Sequence, residues 1–240
     1  MPLDGTVNYA VGLRAGGTDM PEHSAGRAAA PKKRGNTRQR LIETTLSLLW
    51  QYGYGAVGVD RICKDAGVNK GSFYHFFPSK EGLVIAALEH GWQVSREGLY
   101  RDAFDPALHP LDRFNQLADL TYAHHQGMRD AAEWKLEQGC PFGNVGAETG
   151  ADDRRVRDTV RAIYEAEAAF FEQALRDAVA MQAIRPCDIS DTARMMVAWQ
   201  TGLLTHAKVY NDAGWLRQLV PGWARLLGVE VRRGWFPVPR

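Results

Sequence analysis

Apolar residues recur with helical spacing through most of the chain. Leu41, Thr45, Leu48, Leu49 and Tyr52 fall at i, i+4, i+7, i+8 and i+11, a stripe that faces a core. Asn36 or Thr37 supplies the N-cap of this first helix, and Gly53 ends it. A second, short helix runs from about Val59 to Ala66 and stops at Gly67, where a left-handed C-cap is needed. After the turn Gly67-Val68-Asn69, a third short helix covers about Lys70 to Phe76. Pro78 closes it, and Ser79 caps a longer fourth helix. That helix carries Val84, Leu88, Trp92 and Leu99 along one side and reaches Tyr100 or beyond. Asp105-Pro106 and His109-Pro110 interrupt the pattern before a fifth helix to about Met128. The stretch from Gly139 to Gly146 is rich in Gly and Pro and predicts an ordered loop rather than a helix. Further helices are predicted from about Asp153 to Met181, Ser190 to Tyr210 and Trp215 to Leu227, with Pro221-Gly222 forcing the last to kink or restart. No segment alternates with a period of two, so the class is all-α.

Charge divides the chain in two. Between Pro31 and His90 nine basic residues stand against five acidic ones, whereas after His90 the balance is 18 against 20. A basic head on a slightly acidic body fits a two-part protein whose head meets a polyanion, although many solvated helix faces carry similar charge. Residues 1–34 lack any apolar period and end in Lys32-Lys33-Arg34. They read as a disordered basic arm: a plain solvated tail, or a reach for phosphates and the minor groove. No apolar run reaches membrane-spanning length, and no signal-peptide core is present. Cys63, Cys140 and Cys187 are odd in number and far apart, which fits a reducing cytoplasm and not a disulfide framework. The expected location is cytoplasmic, with no membrane partner.

Two short helices joined by a glycine-containing turn, the second opening with small and basic residues, form a helix-turn-helix signature. The second helix can enter the major groove of DNA with its N-terminal residues against base edges and phosphates. Gly71 lets the backbone approach closely, and Ser72 is a short hydrogen-bonding group. Lys70 brings charge, Tyr74 and His75 can reach phosphates, and Lys80 stands where it can hold a phosphate beside free N–H groups. The bland alternative is a buried aromatic cluster with both lysines merely solvated.

The runs Thr37-Arg38-Gln39-Arg40-Leu41-Ile42, Val59-Asp60-Arg61-Ile62 and Gly67 through Glu81 resemble the DNA-binding domain of TetR-type repressors over about residues 35 to 95. The resemblance implies Lys70, Gly71, Ser72, Tyr74, His75 and Lys80 at the DNA surface, with Phe73 and Phe76 in the core. Arg38 and Asn69 join the candidate DNA-binding set. So does Arg61, a departure from many relatives that adds either a DNA contact or a surface charge. Val59 departs from the hydroxyl or other cap that relatives often carry. The implied fold is an N-terminal three-helix helix-turn-helix domain (35–95) and a C-terminal helical domain for effector binding and dimerisation (96–228), followed by a tail (229–240). The implied partners are operator double-stranded DNA, a small-molecule effector of unknown identity and a second copy of the chain.

In the C-terminal half, the run from Gly139 to Asn144 with Glu148, and the stretch from Trp199 to Lys208, are similar to one branch of that family. Members of that branch respond to acrylate-like compounds or to electrophiles and oxidants. Only the position of the loop and its thiol carries over. Cys140 is the sharpest candidate, reactive if a Lys, His or helix N-terminus stabilises its thiolate and inert if it packs beside Pro141 and Phe142. Trp134, Phe142, Asn144, Phe170, Trp199 and His206 complete the candidate effector contacts, with Tyr210 as a further aromatic. His124 and His125 cannot both face one cavity, and a pair at i, i+1 is poor metal geometry. Met196, Trp199, Gln200, Leu203, Ala207, Leu216, Leu219, Trp223, Leu226 and Leu227 are candidates for an intersubunit four-helix bundle. No cofactor, metal or catalytic set is expected. The rival readings are a thiol-dependent helical enzyme and a helical adaptor without specific DNA binding.

Overall fold

A computed structural model describes residues 37–130, 136–151 and 153–237, the side chains of residues 129 and 130 aside. The basic arm over 1–34 and the candidates Trp134 and Asn36 lie outside the described residues. The described chain is all-α: apart from an isolated antiparallel bridge between Arg232 and Trp235, no strand occurs among these residues.

The head is built from α1 (Thr37–Tyr52), α2 (Val59–Ala66) and α3 (Lys70–Phe76). Leu41, Leu46, Leu49, Ile62 and Phe73 are fully enclosed there. Gly67 adopts φ 62° and ψ 40°, and the chain turns there through backbone bonds to Cys63 and Lys64. Only glycine takes that conformation without a Cβ penalty. Asn69 caps α3, its Oδ1 accepting from Ser72 N at 2.7 Å. Two expectations are corrected in this layer. Tyr52 is exposed, lying under the Arg61 guanidinium at 3.8 Å, while Trp50 is buried in its place. Phe76 is also exposed, and Phe77 fills the core beside Phe73, because α3 ends a residue earlier than a continuous stripe requires.

Helix α4 (Lys80–Ser95) starts at the Ser79 cap and runs on through a π-helical turn, Arg96–Tyr100, to Arg101–Ala103. Widened turns of this kind are uncommon and gather at functional sites. This rod joins head to body. Helix α5 (Pro110–Asp130) follows. The predicted loop at 139–146 is instead a helix, α6 (Pro141–Glu148). Pro141 sits in its first turn, where no N–H is required. The glycines are there for packing: a Cβ on Gly143 would lie 3.1 Å from Thr201, and one on Gly146 3.2 Å from Val160.

Helices α7 (Arg154–Ala180) and α8 (Ile189–Tyr210) form the long pair of the body. A 3₁₀ segment (Ala213–Gln218) leads into α9 (Leu219–Leu227), so Pro221 falls in the first turn of a new helix and kinks nothing. Tyr100, Phe104, Phe114, Phe171 and Trp223 stack through the centre of the body, and Trp223 Nε1 donates to the Met196 carbonyl at 2.9 Å. Such aromatic contacts add about 0.5–1.5 kcal/mol per pair beyond area burial. The final segment is not a loose tail over its described part. Phe236 is buried, and its N–H and carbonyl both pair with the Asn115 side chain.

Candidate functional site

Helix α3 splits its side chains between two environments. Phe73 points into the core with no exposure, while Lys70, Gly71, Tyr74 and His75 are exposed and Ser72 is half-buried. The short helix therefore offers one polar, partly aromatic face to solvent, anchored from beneath by a single phenyl ring. Its cations are not idle. Lys70 Nζ lies 2.6 Å from Asp60 Oδ1, and Arg61 lies 3.5 Å from Asp65 as well as over Tyr52. The Arg38 guanidinium sits 5.2 Å over the Phe77 ring. These exposed pairs leave the cations within reach of a phosphate, which offers a stronger negative field than one carboxylate.

Lys80 departs from expectation. Its ammonium donates to the Tyr54 carbonyl at 2.8 Å and lies 4.2 Å over the Tyr54 ring, and burial lowers its pKa. It pins the start of α4 to the turn after α1. Asn69 has its side-chain oxygen committed to the helix cap, so its contribution to the surface is to set the entry angle of α3.

A seam of hydrogen bonds joins head to body. Tyr54 donates to Asp153 at 2.7 Å, and Gly55 N donates to Glu148 at 2.8 Å. Arg155 pairs with Glu81 at 3.1 Å, and Trp50 Nε1 donates to the Gly139 carbonyl at 2.7 Å. Burial, then the Asp153 carboxylate, push the Tyr54 hydroxyl up to about 12, so it stays a donor. Gly53 sits at φ 79°, a conformation that strains any L side chain, against the Glu148 carboxylate, which would have to shift to admit a Cβ.

Behind this seam lies a cavity of about 90 Å³. Its wall takes Trp50 from α1, Leu99 and Tyr100 from the π-helical turn, Thr121, His124 and His125 from α5, Cys140 and Phe142 at the start of α6, Glu167 from α7, and Gln200 and Leu204 from α8. Burial pushes the Glu167 carboxyl up to about 8 against an opposing hydrogen bond from Tyr100. Burial lowers His124 to about 4, helped by neighbouring His125, and its ring is stacked on Trp50. His125 Nδ1 lies 3.0 Å from Glu137 Oε2. Gln200 Nε2 donates to the Tyr100 hydroxyl at 3.1 Å.

Of the candidate effector contacts, Cys140 and Phe142 line this cavity. The Cys140 thiol accepts from Gly143 N at 3.3 Å, and burial followed by the Glu167 charge pushes it up to about 12. A thiolate is disfavoured there, contrary to the stabilised thiolate considered from sequence. Asn144 is a brace instead, donating to the Gln138 carbonyl at 2.9 Å. Phe170 packs on Trp92, Tyr100 and Phe104 and borders a separate groove beside Arg113 and Asp177. Trp199, on α8, packs against the start of α9, its Nε1 donating to the Gln218 carbonyl at 3.1 Å and its ring filling the space above Gly222. His206 is exposed and stacks with Tyr210 and Trp215 outside the cavity. The two histidines of α5 both reach the cavity wall, which corrects the expectation that only one could; a curved, enclosed wall accepts adjacent residues edge-on.

Tyr100 and Glu167 are not among the sequence-derived effector contacts, and Gln200, expected in the intersubunit bundle, lines the cavity instead. The one signal for Glu167 was a carboxylate on the apolar stripe of its helix. Most of the candidates for an intersubunit bundle turn inward: Met196, Leu203, Ala207, Leu216, Leu219 and Trp223 are buried within the chain's own body. Met195, Trp199, Val209, Tyr210 and Leu226 are the exposed apolar residues of that region. No helix among the described residues is long and apolar enough to cross a membrane.

A helix-turn-helix head held by a rod and a hydrogen-bonded seam to a helical body with an internal cavity defines a two-part helix-turn-helix protein. Residues 41–87 match the family model for bacterial regulatory proteins of the tetR family, and residues 111–222 match a tetracyclin repressor-like C-terminal domain. The chain belongs to the TetR family. A regulatory protein TetR from Rhodobacter sphaeroides superposes with a TM-score of 0.70 at 29% identity, over 79% of this chain and 98% of that one. The transcriptional regulator AcuR of Cereibacter sphaeroides is 41% identical over 123 residues, 49% of this chain. The HTH-type transcriptional repressor NemR of Escherichia coli K12 is 39% identical over 77 residues, 28% of this chain. The matched stretches span 52% and 39% of these two curated relatives' own lengths.

Proposed function

We propose that the chain is a DNA-binding transcriptional repressor that grips a pseudo-palindromic operator as a homodimer and lets go when a small molecule occupies the cavity. The observation that carries this reading is the outward face of α3, with Lys70, Tyr74 and His75 presented together above a buried Phe73. The repressor sense is supported by the name of the NemR relative. The head corresponds to residues 35–95 and the body to 96–228, with residues 229–237 folded onto α5. Exposed Met195, Trp199, Tyr210 and Leu226 supply apolar surface for a second copy, which sets two recognition helices about one DNA turn apart.

Release follows from shared parts. Trp50 belongs both to α1 and to the cavity wall, and the rod that starts as α4 just after α3 in the chain carries Leu99 and Tyr100 to the cavity through its π-helical turn. An occupant that prefers a tilted α4 by about 100-fold supplies roughly 2.7 kcal/mol of coupling. Nothing in this scheme needs catalysis.

Gel shift against the DNA flanking the gene tests it. Specific, salt-sensitive retention is expected, and Lys70→Ala or Tyr74→Ala should each weaken it about tenfold, the lysine variant also lowering the salt slope by about one. No retention at low salt favours the adaptor reading, and turnover of a compound without loss of protein favours the enzyme.

A further inference from the structure

Two polar atoms on residues that line the cavity stand without a partner. Gln200 Oε1 and Thr121 Oγ1 are buried without a hydrogen-bond partner, on side chains that are 5% and 4% exposed. The Gln200 amide nitrogen is already spent on Tyr100, and the Tyr100 hydroxyl on Glu167. What stays unpartnered among the wall's residues is an amide carbonyl and a hydroxyl, both able to accept, beside a carboxyl that takes the Tyr100 hydroxyl bond and keeps further acceptor capacity. Among the described residues no Lys or Arg lines the cavity, so a buried anion finds no counter-charge there. Trp50, Tyr100 and Phe142 supply aromatic surface, whose ring faces attract cations. The volume admits about six heavy atoms, at roughly 12–15 Å³ each.

We propose that the cavity takes a small primary ammonium ion, its three N–H bonds given to Glu167, Gln200 Oε1 and Thr121 Oγ1 and its short apolar tail set against Trp50 and Phe142. This rests on the cavity being the effector site. Binding exchanges one proton: the ammonium keeps its three hydrogens, the Glu167 carboxyl ionises to accept one of them, and its own proton leaves to solvent. The titratable groups around Glu167 are Tyr100 on the π-helical turn, Tyr164 on α7 and Cys140 before α6, all pushed upward by burial and neutral near pH 7. His124 on α5 is held neutral, and His125 faces Glu137. Among the described residues that line the cavity, Glu167 is thus the carboxyl able to take up the ligand's charge.

Calorimetric titration of the full chain with propylammonium, in two buffers of different ionisation enthalpy, tests this. One site per chain is expected at pH 7, with release of about 0.9 proton and an affinity rising up to tenfold per pH unit between about 6 and 7.5. Glu167→Gln should abolish proton release and weaken binding at least tenfold, with helical circular dichroism reporting its fold. Gln200→Leu should weaken binding while proton release persists. Binding of propionamide or propionate in place of propylammonium overturns the proposal and leaves the effector cavity standing. Propylammonium binding that Glu167→Gln does not alter overturns it, as does absence of binding by a protein that still retains operator DNA. Failure to retain DNA at all strikes the underlying reading of the chain instead.

Discussion

The recognition helix and the cavity are built on opposite plans. Helix α3 keeps one apolar anchor inside and turns its polar groups to water, so each contact it makes is exposed and replaceable. The cavity turns polar groups inward, where Glu167, Gln200 and Thr121 must be satisfied by neighbours or by an occupant. An exposed Lys70–Asp60 pair yields to a phosphate at little cost, whereas a buried carboxyl responds to its surroundings by holding its proton. The head is suited to reversible electrostatic grip, and the body to selective response.

The contrast can be broken most forcefully at the anchor. Phe73→Ala should cost about 3–5 kcal/mol and abolish operator binding, read as a lowered melting temperature and a lost gel shift. A variant that melts normally would mean that α3 does not depend on this ring.

Next in size is a pH effect from the cavity. Glu167 is held protonated up to about 8 when folded, against the usual carboxylate range when unfolded, so its contribution is full at low pH and is lost as pH rises through 8. His124 is lowered to about 4 when folded, so its contribution is lost as pH falls from the ordinary imidazole range through 4. The two oppose each other at mildly acidic pH, and above about 6.5 only Glu167 acts. Stability should fall by about 2 kcal/mol between pH 6.5 and 8, measured by thermal melting, and Glu167→Gln should flatten that limb. An unchanged slope in the variant would assign the effect elsewhere.

Smaller is the link between the two regions. Trp50→Phe leaves the Gly139 carbonyl without its donor and should cost about 1–3 kcal/mol, with effector concentration for half-release changed more than operator affinity. Equal changes in both would show that Trp50 serves stability alone. The smallest effect is expected at the thiol. Cys140→Ser retains an acceptor for Gly143 N and should leave release by electrophiles unchanged, because burial already suppresses the thiolate. Loss of that response in a release assay would restore the thiol as sensor.

The head was legible because its signals are local. Gly67, Asn69 and Ser79 each act within three residues of themselves, and Phe73 with Tyr74 differ in fate by one helical step. The cavity was not, because its wall is collected from α1, α4, α5, α6, α7 and α8. Trp199 and Gln200 show the difficulty: adjacent on α8, they face α9 and the cavity respectively. Helical spacing says that the two diverge but not which neighbour each meets.

From residue order alone came the all-α class, the helix-turn-helix and its outward polar face, since capping, glycine conformation and amphipathic period are properties of short segments. Tertiary packing alone decided that 141–148 winds into a helix, that Trp50 replaces Tyr52 in the core, and that Tyr100, Glu167 and Gln200 meet around one small space. The reason is that burial and proton affinity depend on which distant surfaces close over a side chain, and no local pattern records them.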